Sequence, residues 1–385
     1  RANNVDIMFV GEEGEPGMAG FPFMRQAETF RSSLPFILLL AVFILPCPMS
    51  AAAKPRPAIA FVHLLLPPGG EPHASPAGWI GSLDRARDTL ESLRIPTIVS
   101  SASPGNAEDL NELSEMDPEV LITTSPLLYA AACDVAKRSP NTVFFACTDE
   151  TVHDNMSGFQ ARTYEAHYLA GLIAGALSED GVIGYLANDP YQSKASRLRN
   201  ANAFTLGAQK SKAAIRVLYA PGNDPDEELK TLIAAGADIV DLERALPSLV
   251  ERLREHSVRY VGTAGRTVDP LCLAAPEWEW SNAFGDLLMQ VRFGIWRPRN
   301  VSYGIKEGVV GLSPFGPAVP ETVRVRVREA KEAIRNGASP FEGPVRDVSG
   351  SLRIAEGSVP DDATLRGMDW RVQGLEPLPL TPDGR

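Results

Sequence analysis

Apolar positions from about residue 58 onward alternate between short continuous runs and longer stretches with helical spacing. Short apolar runs are typical of strands buried on both faces, and the longer stretches predict helices between them. The predicted strands cover 58–66, 97–100, 120–123, 142–147, 182–187, 215–219, 238–242 and 259–262, with a further apolar stretch at 156–160. The predicted helices cover 79–93, 107–116, 127–137, 164–177, 191–209, 226–235, 246–256, 281–295 and 321–336.

Strands that alternate with helices predict parallel sheets with right-handed crossovers. The units are too many for one sheet of normal width, so we expect an α/β fold of two doubly wound lobes joined at a hinge. Ligands bind at the carboxyl ends of strands in such sheets, which predicts a cleft between the lobes. Small residues in the helix at 164–177, among them Gly171 and Gly175, predict close packing on a sheet.

The segment 1–53 is predicted to be upstream sequence followed by an export signal. Its apolar run at 36–45 has ten residues, with arginines before it and small residues after it. Ten residues are too few to span a bilayer core of about 30 Å, and the flanks favour a cleaved signal over a buried core helix. Lipid attachment at Cys47 is the less favoured alternative, because Pro46 replaces the small residue expected there. We therefore expect a periplasmic or other extracytoplasmic protein.

Composition and motifs argue against several classes of protein. The 385 residues carry a net charge of −11 and no run of Lys or Arg, which argues against nucleic-acid binding. GxSxG, HExxH, P-loop and GxGxxG motifs are absent, and the five histidines lack metal-ligand spacing. We expect no enzyme, metal or cofactor. Cys133, Cys147 and Cys272 follow the signal and allow either one disulfide or none.

Five residues near predicted strand ends are candidates for ligand recognition. Trp79 follows a loop rich in Pro and Gly and is suited to stack on a planar heterocycle, or to pack in the core. Asp84 is a candidate acceptor, or a solvated helix charge. Trp278 and Trp280 lie two positions apart and either line the cleft or pack under the hinge. Ser125 is placed either to bind ligand or to cap the next helix.

Five further stretches resemble one family in the same order along the chain. They are QARTYEAHYLAGLIAGAL (160–177), NANAFTLGAQ (200–209), YGIKEGVVGLSPFGPAVPE (303–321), PFEGPVRD (340–347) and DDATLRGMDWRVQGL (361–375). Together they resemble the basic membrane protein family of ABC-transporter substrate-binding proteins, which includes purine nucleoside receptors.

The resemblance implies a type I periplasmic-binding fold with a hinge of three crossovers. It implies a monomer that captures a purine base, a nucleoside or a related heterocycle between two closing lobes and delivers it to an ABC permease in the membrane. Lobe 1 would comprise 54–157 and 281–303, and lobe 2 would comprise 158–280 and 304–385.

The same resemblance assigns further candidate residues. Trp79 and Asp84 are retained from the family's segment after the first strand, whereas its acidic residue, tyrosine and histidine are not. Gln160, Arg162 and Glu165 match the first crossing between the lobes. The set is completed by Asn202, which matches the family's Asn in NAFT, and by Lys306 at the third crossing.

The chain departs from the family pattern after two strands of lobe 2. Arg244 lies where the family has HTDS, and Ala264 and Arg266 lie where it has GYDSD. A lost carboxylate and added arginines would favour a more anionic heterocycle than the usual purine. The altered residues also leave open a ligand-sensing or partner-binding module that no longer serves transport. A nucleoside hydrolase-like enzyme on this fold is a third alternative.

Overall fold

The computed structural model describes residues 56–65, 78–103, 105–148, 150, 153–189, 192–262 and 269–379. The predicted export signal with Cys47, most of the loop before Trp79, and Ala264 and Arg266 lie outside the described residues. Within the described ranges, every helix is too short or too polar to cross a lipid bilayer.

The described chain alternates strands and helices in the predicted order. The strands are β1 (Ile59–Leu64), β2 (Thr97–Ala102), β3 (Val120–Thr123), β4 (Val143–Cys147), β5 (Met156–Ala161), β6 (Val182–Leu186), β7 (Arg216–Ala220), β8 (Ile239–Leu242), β9 (Arg259–Gly262), β10 (Cys272–Ala274), β11 (Pro276–Trp278), β12 (Asn300–Tyr303), β13 (Val310–Leu312), β14 (Val345–Arg346), β15 (Leu352–Ile354) and β16 (Leu375–Pro377). The α-helices are α1 (Trp79–Ser92), α2 (Glu108–Glu115), α3 (Tyr129–Ala136), α4 (Tyr164–Leu177), α5 (Lys194–Ser211), α6 (Pro225–Ala234), α7 (Pro247–Glu255), α8 (Ser281–Arg292), α9 (Glu321–Arg335) and α10 (Asp362–Arg366).

Two six-stranded sheets define the two lobes. The strand order is β12-β5-β4-β3-β1-β2 in lobe 1 and β10-β9-β8-β6-β7-β16 in lobe 2. All neighbouring strands within both sheets are parallel. All six residues of β1 are buried, as expected for a strand covered on both faces. The predicted α/β fold with two parallel-sheet lobes is confirmed.

The chain passes between the lobes after β5, before α8 and after β12. The antiparallel pair β11–β13 joins the second and third crossings. The lobe boundary expected at 157/158 falls inside β5, which pairs with β4 and β12 in the sheet of lobe 1. The structure therefore assigns β5 to lobe 1 as a whole.

Helices α4 and α5 approach each other closely along glycines. A Cβ atom at Gly171 would overlap the Phe204 carbonyl oxygen, and one at Gly175 would overlap the Ala208 carbonyl oxygen. At Gly207 the obstacle is the carbonyl oxygen of Tyr168. The small residues of α4 thus serve helix–helix packing with α5, whereas the sequence had predicted packing on a sheet.

Three clusters of buried apolar side chains stabilise the lobes. One lies on the α2–α3 side of the first sheet, and one lies on the α6–α7 side of the second sheet. The third and largest draws side chains from both sheets, from α4 and α5, and from the C-terminal segment. This shared cluster runs beneath the hinge, so the inner faces of the two lobes are covered by one continuous core.

Candidate functional site

A cleft lies between the lobes at the carboxyl ends of the strands, as predicted for this sheet class. It encloses about 780 Å³, counting the solvent at its mouth. Lobe 1, the crossings and lobe 2 all contribute to its wall. The lining residues are Trp79, Pro126, Cys147, Gln160, Ala161, Thr163, Asp189, Gln192, Ser193, Ser196, Arg199, Asn200 and Trp278.

Two tryptophans form the aromatic wall of the cleft. The Trp79 indole Nε1 donates to the Thr124 carbonyl oxygen at 2.8 Å, and Trp278 Nε1 donates to Thr163 Oγ1 at 3.2 Å. The two rings meet edge to face with centroids 5.8 Å apart. Both indole N–H groups are therefore bonded within the protein, and the rings are held in fixed orientations. Such rings offer an apolar surface for a planar ligand.

Trp280 lies behind this wall and not in it. It is fully buried, lies parallel to Phe284 with centroids 5.5 Å apart, and meets the edge of Trp79 at 5.3 Å. Among the described residues its indole Nε1 has no hydrogen-bond partner. Trp280 is thus a packing residue that supports Trp79 from the core.

Asp84 lies behind Trp79 as well. Its Oδ1 is 3.4 Å from His63 Nε2, and His63 Nδ1 is 3.1 Å from the hydroxyl of Thr124. Asp84 therefore belongs to a chain of contacts that ends at the hydroxyl of Thr124, the residue whose carbonyl oxygen accepts from Trp79. Ser125 is fully buried, and its Oγ accepts from the Leu127 backbone N–H at 3.3 Å, which is the capping role.

The opposite wall is polar and comes from lobe 2. Helix α5 begins after Ser193, whose side chain accepts from the Ser196 backbone N–H and so caps the helix. Its first two turns and the segment after β6 bring Gln192, Arg199 and Asn200 to the cleft. Gln192 Nε2 donates to Asp189 Oδ2 at 3.1 Å, and Asn200 Nδ2 donates to Gln192 Oε1 at 2.9 Å.

A buried ionisable cluster lies directly under this polar wall. Glu243, which is 6% exposed, accepts from the Tyr185 hydroxyl at 2.8 Å. Burial raises the pKa of Glu243 to about 7, with Asp189 adding to the rise and His167 opposing it. His167 forms a buried pair with Asp241 at 2.9 Å, and although burial alone would lower the pKa of His167, Asp241 raises it.

Arg162 and Glu165 lie together at the crossings, outside the lining of the cleft. Glu165 Oε1 accepts from Arg162 Nε at 2.7 Å, and Glu165 Oε2 accepts from the Ile305 backbone N–H at 2.6 Å. Arg162 also donates to the Ser302 carbonyl oxygen at 2.8 Å and pairs with Glu307. This network fastens the first crossing to the third. Lys306 is exposed on the same turn and does not line the cleft.

Asn202 is fully buried on α5 and contacts the segment 368–372 instead of the cleft. Its Nδ2 donates to the Trp370 carbonyl oxygen at 2.8 Å, and its Oδ1 accepts from the Val372 backbone N–H at 2.9 Å. The amide therefore holds the C-terminal segment against lobe 2.

Comparison with known protein families gives a match in the central part of the chain, and comparison with single proteins gives matches over most of its length. The model of the family described as ABC transporter substrate-binding protein, PnrA-like, matches residues 83–234. A purine-binding protein of Brucella abortus (strain 2308) is 28% identical over 344 residues, which covers 85% of this chain and 95% of that protein.

Residues 83–234 of the chain are thus similar to the PnrA-like family of ABC transporter substrate-binding proteins.

Other relatives differ in the ligand that their names give. A Haloferax volcanii protein, named provisionally as the ABC transporter glucose-binding protein TsgA13, is 28% identical over 307 residues, covering 74% of this chain and 78% of that protein. The solved ABC transporter solute-binding protein of Conexibacter woesei has a TM-score of 0.58 at 17% identity, covering 73% of this chain and 97% of that one. The type I periplasmic-binding fold is thereby confirmed. Members of this family are transport solute-binding proteins and not enzymes.

Of the residues predicted to bind ligand, the structure brings Trp79, Gln160 and Trp278 together in the cleft. Sequence reasoning missed the whole polar wall. A usable signal was present, because the segment after the predicted strand 182–187 leads directly into the predicted helix 191–209. Such strand ends are where ligands bind in open α/β sheets.

The residues whose substitution suggested an anionic ligand have a different setting in the structure. Arg244 does not line the cleft, and its backbone N–H and carbonyl oxygen bond the Asn188 side chain. The preceding Glu243 takes the buried position under the polar wall. Among the described residues, Cys133, Cys147 and Cys272 form no disulfide with one another.

Proposed function

We propose that this substrate-binding protein captures a purine base or purine nucleoside in the cleft and delivers it to an ABC permease from outside the cytoplasmic membrane. The observation that carries the proposal is the pairing of two fixed indole rings with an amide-rich wall across the same cleft. Flat apolar rings suit the faces of a nucleobase, and amide groups suit its edge.

The purine-binding name of the Brucella abortus relative supports the same ligand class. A sugar is the competing small molecule, as in the name of the Haloferax volcanii relative. Stacking tryptophans also occur at sugar sites, but the side chains of Asp189, Gln192 and Asn200 present both donors and acceptors to the cleft, which suits the edge of a heteroaromatic base.

The proposal is tested by thermal shift and titration calorimetry of protein refolded to remove any bound ligand. The panel comprises adenine, guanine, their nucleosides, the nucleoside monophosphates and glucose. Binding to the native state raises the melting temperature. We expect shifts with the bases or nucleosides. A shift with glucose alone would contradict the proposal, and no shift with any compound would favour the sensing or partner-binding module.

Substitution of Trp79 separates stacking from other contributions. Stacking of a base on an aromatic ring contributes about 1–3 kcal/mol, so Trp79→Ala should weaken binding by about tenfold or more, and Trp79→Phe by less. Trp296 lies outside the cleft lining and is also only partly buried, so Trp296→Ala is the matched control. Unchanged affinity in Trp79→Ala would refute the stacking role.

A further inference from the structure

Four residues at the polar wall form a closed ring of hydrogen bonds, which includes one backbone N–H group. Glu243 Oε1 lies 3.4 Å from Asn200 Nδ2, which also donates to Gln192 Oε1 at 2.9 Å. Gln192 Nε2 donates to Asp189 Oδ2 at 3.1 Å, and the Asp189 backbone N–H returns to Glu243 Oε2 at 3.3 Å. Three members of the ring line the cleft, and Glu243 lies beneath them.

The ring fixes the orientation of the Asn200 amide. An ionised carboxylate only accepts hydrogen bonds, so Glu243 requires the NH₂ group of Asn200 to face it. The carbonyl Oδ1 of Asn200 is then the polar atom left for the cleft. Both hydrogen bonds that the Asn200 side chain makes among the described residues use its Nδ2, and Asn200 itself is only 1% exposed. A nearly buried acceptor of this kind favours a ligand that supplies a donor.

We propose that Glu243 is a specificity-determining residue: its carboxylate turns the Asn200 carbonyl oxygen toward the ligand, so that the cleft selects heterocycles with an exocyclic amino donor, in place of a carbonyl acceptor, at the position that faces this oxygen. The inference rests on the proposed purine ligand and goes beyond it by naming the donor pattern. For purines, the selected class carries an amino group where the rejected class carries a carbonyl oxygen.

Protonation or neutral replacement of Glu243 reverses the polarity at Asn200. The Asp189 backbone N–H requires an acceptor at the Oε2 position, so a proton, or the NH₂ group of a glutamine, is placed at the Oε1 position. The Tyr185 hydroxyl, 2.8 Å from Oε1, keeps its contact in either case, because it donates to a protonated Oε1 and accepts from a glutamine NH₂ group. The hydrogen placed at Oε1 faces Asn200, so the orientation in which the Asn200 carbonyl oxygen accepts from it becomes favourable. Asn200 then turns its NH₂ group to the cleft. Gln192 must turn with it and gives up its bond to Asp189, so the reversal is partial.

The surroundings of Glu243 place this change near neutral pH. Burial raises the pKa of Glu243 to about 7. The neighbouring carboxylates add to the rise, whereas the imidazole and the bonded hydroxyl group oppose it. The titratable groups that face Glu243 are His167 from α4, Tyr185 from β6, Asp189 after β6, Tyr219 from β7 and Asp241 from β8.

Adenosine and inosine are the probes, because position 6 of the base carries an amino donor in adenosine and a carbonyl acceptor in inosine. Calorimetry at pH 8 and pH 5.5 measures both affinities for the wild type, Glu243→Gln and the control Glu228→Gln. Glu228 is a partly buried lobe 2 carboxylate that accepts backbone N–H groups away from the cleft. We expect the wild type at pH 8 to prefer adenosine by about tenfold, and Glu243→Gln to reduce that ratio at least fivefold.

The wild-type ratio should also fall at pH 5.5, whereas the ratio in Glu243→Gln should not depend on pH. A ratio that is unchanged in Glu243→Gln, or a wild-type preference for inosine at pH 8, would overturn the inference. If neither the two nucleosides nor their free bases bind, the proposed purine function fails. In that case the coupling between Glu243 and Asn200 is tested without a ligand, by following the NMR signals of the Asn200 side-chain amide against pH. The Asn200→Ala variant assigns these signals. A titration near pH 7 that Glu243→Gln abolishes supports the coupling, and its absence refutes it.

Discussion

Glu165 was expected from its family match to contact the ligand. Its hydrogen bonds in the structure predict instead that it stabilises the hinge by joining the first crossing to the third. The side chain is 5% exposed, and its two oxygens bond Arg162 Nε and the Ile305 backbone N–H at 2.7 and 2.6 Å. Burial raises its pKa, and Arg162 and the Ile305 N–H oppose that rise. Removal of the carboxylate therefore leaves a partly buried guanidinium group and a buried N–H without this acceptor.

The expected loss follows from that geometry. Breaking a buried ion pair by removing one partner costs about 3–5 kcal/mol. Glu307 still pairs with Arg162, so we expect the lower end for Glu165→Ala, about 3 kcal/mol. Glu165→Gln keeps an acceptor for Ile305 and should lose about half as much, because the charged bond to Arg162 is worth about 1.5–3 kcal/mol.

Urea unfolding followed by tryptophan fluorescence and circular dichroism measures both losses. The control is Glu332→Gln, because Glu332 also pairs with an arginine three positions away at 2.7 Å but is exposed. That variant should change the unfolding free energy by less than about 0.5 kcal/mol. A double-mutant cycle with Arg162→Met isolates the coupling between the two side chains. A Glu165→Ala loss below about 1 kcal/mol, or a coupling near zero, would refute the role of this network.

Three other substitutions test the packing of lobe 2. Gly175→Leu should destabilise the protein by about 2 kcal/mol or more because its side chain would collide with α5, whereas Gly285→Ala, whose Cβ has ordinary space, should not. Asn202→Ala should cost about 1–3 kcal/mol and speed tryptic cleavage at Arg371, which limited proteolysis would show. The pKa of Glu243 is raised from 4.5 to about 7, so folding favours its protonated form. Its contribution to the free energy of unfolding is therefore complete below pH 4.5 and about 3 kcal/mol smaller above pH 7. Glu243→Gln should therefore gain stability relative to the wild type by that amount between these pH values, and equal pH profiles in chemical denaturation would contradict the assignment.

The alternation of apolar runs and helical stretches was sufficient to predict the α/β class and two lobes. These features depend on local periodicity, which any window of the sequence displays. Strands β3 and β9 even have the predicted bounds, because each is a short apolar run between polar segments. The family resemblance added the crossings and the ligand class, and the site wall at Trp79 followed from its place after the first strand.

Tertiary structure decided what the side chains do. Strands β12 and β16 carry weak local signals, and only their distant partners β5 and β7 make them part of the sheets. Trp278 and Trp280 are two positions apart, yet one lines the cleft and the other is enclosed by Phe284 and Trp79. The sequence pattern could not separate Glu165, which fastens the hinge, from Asn200, which faces the cleft. The burial of a side chain and its hydrogen-bond partners depend on residues from distant parts of the chain. Because these two properties determine which polar groups remain available to a ligand, only the tertiary structure shows them.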